Sequence, residues 1–334
     1  LLALADRGGV SGETLVLAYA AGFEAGVRAG QAAPGHHNGG WHLTGTLGSI
    51  GAGAAAAKML SLDPDRFVHA LGIATTQAAG MQQNRGTMCK SFHAVKAGAN
   101  GLLAGLLAEQ GFDSSGEILE GKRGFCRIYS DVAEPERILE ELGDRWEIAR
   151  NGHKPYACGI VLHPAIDAMI ELGTTTEAAP EDVASIEVRV HPHAVTITGV
   201  VEPTTGLQSK FSIYHSAAVA FVARAAGIQQ YSDARAVAPE IVALRRKVEV
   251  IQDEGLEKDQ ARGTVVLASG ERHETVVEHA TGTIDNPMTD SAIEAKFLAN
   301  AIPAIGEERA RRACDLMWKI ETVGDVRDLT TTCA

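Results

Sequence analysis

Apolar residues recur at helical spacing along roughly the first 150 positions. Near the start of the chain, Ser11 can cap a helix, and one apolar stripe follows it at Leu15, Tyr19, Gly22 and Phe23. This arrangement predicts an amphipathic helix that packs on a helical core.

Two further helices are predicted in segments rich in small residues, at positions 46–58 and 94–110, and Gly111 is suited to end the second. Glycine destabilises a helix because its backbone loses more conformational freedom than that of other residues. Helices that keep several glycines therefore need a packing reason, and we expect close approach between neighbouring helices.

The pattern changes near position 154. Apolar and polar residues alternate at positions 186–190 and 248–250, and again near 263–267, as they do in half-buried strands. Helical spacing occurs between and after these segments, at positions 163–172, 212–226 and 290–300.

These patterns predict a mainly α fold with two domains. An all-helical domain occupies positions 1–153, an inserted α+β domain occupies 154–285, and the chain returns to the helical domain at 286–334. A length of 334 residues agrees with two domains, because single cores seldom grow beyond about 250–300 residues.

Composition excludes several classes of protein. A formal net charge of -12 argues against a nucleic-acid-binding protein, and an anionic substrate would need a local group of cations. The five cysteines form no CxxC pair, so we expect neither a disulfide framework nor a zinc site, and we expect a reducing, cytoplasmic location. Apolar runs long enough to span a membrane are absent, so we expect no membrane partner.

The chain starts inside an apolar helical pattern at Leu1, with no capping residue and no Met. We therefore expect that it lacks an N-terminal region and that residues 1–334 alone are a poor enzyme.

The densest polar segment is positions 35–46, which lead into the first small-residue helix. A helix N-terminus suits a carboxylate, and His42 beside it can donate a hydrogen bond or move a proton near neutral pH. The alternative is a flexible loop with solvated histidines. Although His36, His37 and His42 lie within seven residues, no Asp or Glu accompanies them, so we predict no metal site.

Two lysines stand out in other segments. Lys90 precedes the predicted helix at 94–110, and Pro155 holds Lys154 extended. Either lysine can bind a carboxylate, although lysines at such places are commonly surface residues. Tyr214 and His215 open a further helix, after His163 has opened another, so the cations and polar groups recur at junctions of loops with helices. A binding site for a polyanion needs such groups.

Four ordered blocks of this sequence resemble the MmgE/PrpD family. They are Gly40-Trp41-His42-Leu43-Thr44-Gly45-Thr46-Leu47-Gly48, Lys90-Ser91-Phe92-His93 with the glycines of 98–101, Lys154-Pro155-Tyr156 with Asp167-Ala168, and Phe211-Ser212-Ile213. The resemblance extends to Asn286-Pro287-Met288-Thr289 and Lys296-Phe297, and so covers most of the chain.

The resemblance implies an all-α domain with an α+β lid domain, a homodimer, and no required metal or organic cofactor. It implies catalytic residues at His42, Lys90, Lys154 and His215, and substrate-binding residues at Thr44, Thr46, His93 and Tyr214. His215 stands where the family has a tyrosine, with Tyr214 one place earlier. The family's upstream Asp and His have no counterpart in this sequence.

The function implied is a lyase that acts on a small di- or tricarboxylate by removing a proton next to a carboxylate. We place dehydration first, as in the 2-methylcitrate dehydratases of the family. The alternatives are an epimerase or a decarboxylase of a related polycarboxylate, a non-catalytic truncated paralogue and, third, a metal-dependent hydrolase.

Overall fold

The computed structural model describes residues 1–334 and divides the chain into two compact units. The first, here called the helical unit, comprises Leu1–Arg150 and Ala301–Ala334. The second, here called the α+β unit, comprises Asn151–Asn300.

The fold is mainly α, as predicted. Its fifteen α-helices are α1 (Leu2–Gly8), α2 (Gly12–Gln31), α3 (Leu43–Met59), α4 (Pro64–Thr75), α5 (Met88–Glu109), α6 (Phe125–Ile128), α7 (His163–Thr176), α8 (Pro192–Thr198), α9 (Gly206–Ser209), α10 (Ile213–Ala223), α11 (Asp233–Ala236), α12 (Pro239–Arg245), α13 (Asp290–Ile305), α14 (Glu307–Trp318) and α15 (Arg327–Cys333). None of them combines the length and the apolar composition that crossing a bilayer requires.

Glycines let three helices of the helical unit pack closely. A Cβ atom at Gly22 of α2 would lie 2.5 Å from the carbonyl oxygen of Gly51 in α3. A Cβ atom at Gly101 of α5 would lie 2.3 Å from the Ala52 Cβ on the same helix α3. The predicted reason for the small-residue helices is therefore confirmed, and α3 lies between α2 and α5 as the centre of this unit.

The α+β unit contains one four-stranded sheet in the order β2-β1-β3-β4. The strands are β1 (Val183–Val190), β2 (Val248–Gln252), β3 (Ala261–Leu267) and β4 (Arg272–Val277). Strand β1 pairs in parallel with β2 and antiparallel with β3, which pairs antiparallel with β4. Helices α7 and α10 supply most of the buried apolar residues that cover one face of this sheet.

The sequence patterns located most elements but misplaced some boundaries. Ser11 caps α2 as predicted, since its hydroxyl accepts a hydrogen bond from the Thr14 N–H at 3.2 Å. The helix predicted at 94–110 begins earlier, at Met88, so Lys90 lies in its first turn and does not precede it. Lys154 lies in a stretch without regular secondary structure and not beside a helix start, and β4 was not predicted.

Candidate active site

A short antiparallel bridge positions His42 in the helical unit. Trp41 pairs with Met81, the His42 N–H donates to the Gly80 carbonyl at 3.0 Å, and the Gln82 side-chain amide donates to the Trp41 carbonyl at 3.0 Å. The bridge places His42 directly before α3, whose N-terminus has no side-chain cap. His42 therefore lies beside a helix N-terminus, as the sequence predicts.

His42 and His93 form a direct pair, with their Nδ1 atoms 2.9 Å apart. Only one of the two Nδ1 atoms can carry the proton of this hydrogen bond. In the neutral pair the acceptor histidine therefore has its proton on Nε2, and the donor histidine has an unprotonated Nε2. The pair thus offers one proton donor and one proton acceptor to a bound molecule.

The surroundings keep His42 neutral in the absence of an anion. Burial, together with smaller contributions from the positive charges of Lys90, His93 and Arg85, lowers the pKa of His42 to about 4. No carboxylate is among the groups that shift this pKa. A bound carboxylate would act in the opposite direction, because a nearby negative charge favours the protonated histidine.

Gly80 leaves room for His93. Its φ of +142° lies in a region that side chains rarely adopt, and a Cβ atom there would lie 3.2 Å from the His93 Nδ1. A side chain at position 80 would therefore press on the histidine pair.

The two predicted threonines differ in environment. Thr46 is fully buried, and its hydroxyl donates to the carbonyl of His42 at 3.3 Å. Thr44 is exposed in the first turn of α3. Thr46 thus supports the backbone beside His42, whereas Thr44 is accessible.

His36, in the loop between α2 and α3, lies in an aromatic cluster. It is 1% exposed, both ring nitrogens lack a hydrogen-bond partner, and its ring contacts Phe125 and Tyr129 edge-on at 5.3 and 5.7 Å between centroids. Burial lowers its pKa to about 4. His36 is therefore a neutral packing residue of the helical unit.

Lys154 lies exposed at the start of the α+β unit. It lines a cavity of about 560 Å³ together with Cys158 and residues of the loop that follows α10. Burial raises the pKa of the Cys158 thiol to about 11, so this cysteine is protonated at neutral pH.

His163 is a candidate that the predicted catalytic set omitted, although its segment was noted. It is 1% exposed, its Nε2 has no hydrogen-bond partner, and its ring meets Tyr156 edge-on at 5.3 Å. Burial lowers its pKa to about 4, with smaller contributions from the charges of Lys154 and Lys296. A buried, unpaired imidazole nitrogen close to two lysines can accept a proton or a hydrogen bond.

The Tyr156 side chain is held in turn by Asp167. The Tyr156 hydroxyl donates to the Asp167 carboxylate, which also accepts from the Thr281 N–H at 2.6 Å. Burial raises the pKa values of both side chains. Asp167 therefore fixes the ring on which His163 packs.

His215 is fully buried at the start of α10. Its Nε2 lies 3.0 Å from the Gln230 carbonyl oxygen, so the proton must be on Nε2, and the buried Nδ1 has no partner. Burial lowers the pKa of His215, so the ring is neutral. Tyr214 is half-buried and packs against the core of the α+β unit.

The candidate residues are divided between the two units. His42, Thr44, Thr46, Lys90 and His93 belong to the helical unit, and Lys154, Tyr214 and His215 belong to the α+β unit. Arg85 and His163 are further candidates, one in each unit. The sequence signals for them were weak, because Arg85 is a lone charge in a loop and His163 resembles an ordinary helix-start residue.

Three side chains elsewhere could together hold a metal ion. Asp259, His279 and Asp285 present ligand atoms within 4.8 Å of one another in the α+β unit. The His279 Nδ1 lies 2.8 Å from a carboxylate oxygen of Asp259, and all three side chains are at least one-third exposed. None of the predicted site residues belongs to this group.

Comparison with known proteins finds matches to one protein family over most of the chain. Residues 1–138 match the model of the MmgE/PrpD N-terminal domain, and residues 156–321 match the MmgE/PrpD C-terminal domain. A cis-aconitate decarboxylase of Aspergillus terreus is 30% identical over 352 residues, which cover 98% of this chain and 72% of that protein. A human cis-aconitate decarboxylase is 22% identical over 302 residues, which cover 87% of this chain and 62% of that protein.

Proposed function

This chain belongs to the MmgE/PrpD family, and on that premise we propose that it is a lyase that removes carbon dioxide from cis-aconitate or a closely similar tricarboxylate. The observation that carries the proposal is the 30% identity to a cis-aconitate decarboxylase along 98% of the chain. The carboxylate-free surroundings of His42 and the lysine-lined cavity at Lys154 support an anionic substrate.

Decarboxylation requires cations that stabilise negative charge and a group that supplies a proton. The bond between one carboxylate carbon and its neighbour breaks, carbon dioxide leaves, and the electron pair moves along the adjacent double bond toward a second carboxylate. A proton is then added to the carbon beside that carboxylate, which closes the balance of charge. Lysine ammonium groups stabilise the enolate-like charge, and Lys90 and Lys154 are proposed for this role.

The His42–His93 pair is proposed to deliver the proton. Substrate carboxylates raise the pKa of His42 when they bind, so that the pair takes up the proton that it later delivers to carbon. His163, whose Nε2 has no protein partner, is proposed to donate a hydrogen bond to a substrate oxygen. His215, whose Nε2–H already donates to the Gln230 carbonyl, is proposed to position Gln230. As part of the same proposal, the α+β unit acts as a lid and the protein is located in the cytoplasm.

Dehydration, which the sequence analysis placed first, uses the same groups in a different order. A histidine would remove a proton next to a carboxylate, and a hydroxyl would leave as water. The relatives named above are decarboxylases, so the comparison favours loss of carbon dioxide over loss of water. Dehydration and epimerisation are therefore the competing outcomes of the assay.

The assay incubates the purified protein with cis-aconitate, 2-methylcitrate, citrate or iminodisuccinate, and follows carbon dioxide release and product NMR spectra. We expect carbon dioxide from cis-aconitate and a product that has lost one carboxylate. Dehydrated 2-methylcitrate without carbon dioxide would make the protein a dehydratase. No turnover of any of the four acids would favour the non-catalytic alternative.

Two substitutions connect the activity to the site. Lys90→Met should raise the transition-state free energy by about 2–5 kcal/mol, the usual cost of removing one partner of a desolvated charge pair. Lys122→Met, at an exposed lysine of the same unit, is the matched control and should leave kcat/KM unchanged. A kcat/KM for Lys90→Met within threefold of the wild-type value would contradict the assignment.

A further inference from the structure

The cavity beside Lys154 contains a second lysine that the predicted site did not include. Lys296 and Asn300 lie one helical turn apart on α13, and both line the cavity of about 560 Å³. All the residues that line this cavity belong to the α+β unit.

The charge in this cavity is unbalanced. Its lining includes two lysines and no aspartate or glutamate. Neither the Lys154 nor the Lys296 ammonium has a carboxylate oxygen within 4.0 Å, although the protein as a whole carries a net charge of -12. Two ammonium groups without acidic partners repel each other, and an anion between them would remove that repulsion.

The Lys296 ammonium is held in position. It donates to the backbone carbonyl of Lys154 at 2.5 Å, which uses one of its three N–H groups. The remaining two N–H groups have no protein acceptor in this structure. The bond also holds the Lys296 ammonium against the backbone of Lys154 before any ligand binds.

Other parts of the cavity lining are also held by hydrogen bonds. The Ala157 N–H donates to the Ala226 carbonyl at 3.0 Å, and the Gly227 N–H donates to the side-chain oxygen of Gln230 at 3.0 Å. The Gln230 carbonyl accepts from His215 at 3.0 Å. Side-chain amides at Gln229, Gln230 and Asn300 complete the polar lining and can donate to carboxylate oxygens.

We propose that Lys296 is the second substrate-binding cation of this cavity, and that it holds one carboxylate of the substrate jointly with Lys154. The proposal rests on the proposed function, because that function supplies a substrate with several carboxylates. It assigns to α13 a direct contact with substrate. A tricarboxylate carries three charges, and this cavity neutralises one of them outside the helical unit.

The test measures binding without turnover. Tricarballylate, a saturated tricarboxylate, is titrated by calorimetry into wild-type protein, Lys296→Met, Lys296→Arg and the exposed-lysine control Lys258→Met. We expect Lys296→Met to weaken binding by about 10- to 100-fold, the range for losing a hydrogen bond to a charged group. Lys296→Arg should recover most of the loss, and Lys258→Met should bind as the wild type does.

The dependence of binding on salt separates direct contact from positioning. If Lys296 contacts the anion, the dissociation constant of Lys296→Met should rise less steeply with salt than that of the wild type, because one charge contact is gone. Weaker binding with an unchanged salt dependence would show that Lys296 only holds the backbone of Lys154, and would overturn the proposal. Wild-type affinity in Lys296→Met, or no binding of tricarballylate by the wild type at millimolar concentration, would overturn it too.

The two proposals fail in different ways. Lysine-dependent binding of tricarballylate without turnover of any acid would leave this inference standing and remove the proposed function. If the wild type releases carbon dioxide normally and Lys296→Met binds tricarballylate as tightly as the wild type, the proposed function stands and this inference is wrong.

Discussion

His36 is surrounded by aromatic rings that offer its two nitrogens no hydrogen bond. The buried ring is therefore kept neutral, and its pKa is lowered from the usual 6.5 to about 4. Between these two pH values the unfolded chain binds a proton at this position and the folded chain does not. Stability must therefore fall as the pH drops from about 6.5 toward 4.

Replacing His36 by Phe should remove this sensitivity to acid. Phenylalanine fills a similar volume among Phe125 and Tyr129 and has no nitrogen to protonate. The loss of unfolding free energy between pH 7 and pH 5 should be smaller by about 1–2 kcal/mol in His36→Phe than in the wild type. Urea unfolding at the two pH values measures the difference. His153→Gln, at an exposed histidine, is the control, and equal pH dependence in His36→Phe and wild type would show that His36 is not responsible.

Sequence patterns identified the residues of the histidine pair separately but not their contact. His42 and His93 are 51 positions apart, and only the bridge between Trp41 and Met81 together with the packing of α5 on α3 brings their Nδ1 atoms to 2.9 Å. Distances of this kind depend on tertiary packing, which local spacing does not encode. For the same reason His163 could not be recognised from its segment, because what distinguishes it is a buried nitrogen without a partner.

At the scale of elements, the contact between α3 and α5 depends on the absence of a side chain at Gly101. A Cβ atom there would lie 2.3 Å from Ala52 and 2.6 Å from the backbone nitrogen of Gly53, neither of which can move without shifting α3. Gly98, one turn earlier on α5, has no heavy atom within 4 Å of the same position. We therefore expect alanine substitutions at these two glycines of α5 to have opposite effects on stability.

Gly101→Ala should destabilise the helical unit by about 1–3 kcal/mol, the usual cost of overpacking a dense core. Gly98→Ala should be neutral or stabilise it by up to about 1 kcal/mol, because alanine favours the helix and the space is open. Denaturant midpoints of the two variants measure this contrast. Equal midpoints would mean that α3 and α5 separate easily and that the small-residue packing is not a constraint.

The elements that the sequence patterns missed have physical reasons. Strand β4 is mostly polar and lies at the edge of the sheet. Its half-buried positions are His273 and Thr275 and only Val277 is fully buried, so the strand shows little apolar alternation. The start of α5 at Met88 has no side-chain cap, and its first turn is exposed apart from Lys90, which is half-buried. Strongly patterned elements such as β1 and α7 were located because burial imposes their apolar periods.

At the scale of the whole molecule, the three histidines of the segment 35–46 each contact a different neighbour, so they do not converge on a common metal site. His36 lies among aromatic rings, His37 lies beside Gln82, and His42 pairs with His93. We therefore expect turnover to be independent of metal.

Exhaustive treatment with EDTA and 1,10-phenanthroline should leave kcat/KM within about twofold of the untreated value, since the proposed chemistry uses cations of the protein itself. Metal content is measured in the same samples. Because Asp259, His279 and Asp285 could bind an ion, His279→Ala serves as a control for an effect that comes from that group. Activity lost on chelation and restored by zinc, iron or manganese would contradict the expectation.

The helical unit exposes an apolar surface that suits a second copy of the chain. Tyr19 on α2 is 55% exposed, and Val95 and Leu103 on α5 are 70% and 47% exposed. Residues of α2, α3 and α5 also line an apolar groove of about 410 Å³. Exposed apolar surfaces of this kind commonly mark interfaces, so the homodimer predicted from the sequence is expected to form through these helices.

Light scattering at micromolar concentration should give about twice the mass of one chain for the wild type. Introducing a charge at the most exposed of these residues, Val95→Glu, should shift the protein toward monomer, because burying an unpaired carboxylate opposes association. Val276→Glu is the matched control, since Val276 is 51% exposed but belongs to the α+β unit. A monomeric wild type, or a Val95→Glu variant that dimerises as the wild type does while Val276→Glu dissociates, would show that the helical unit does not form the interface.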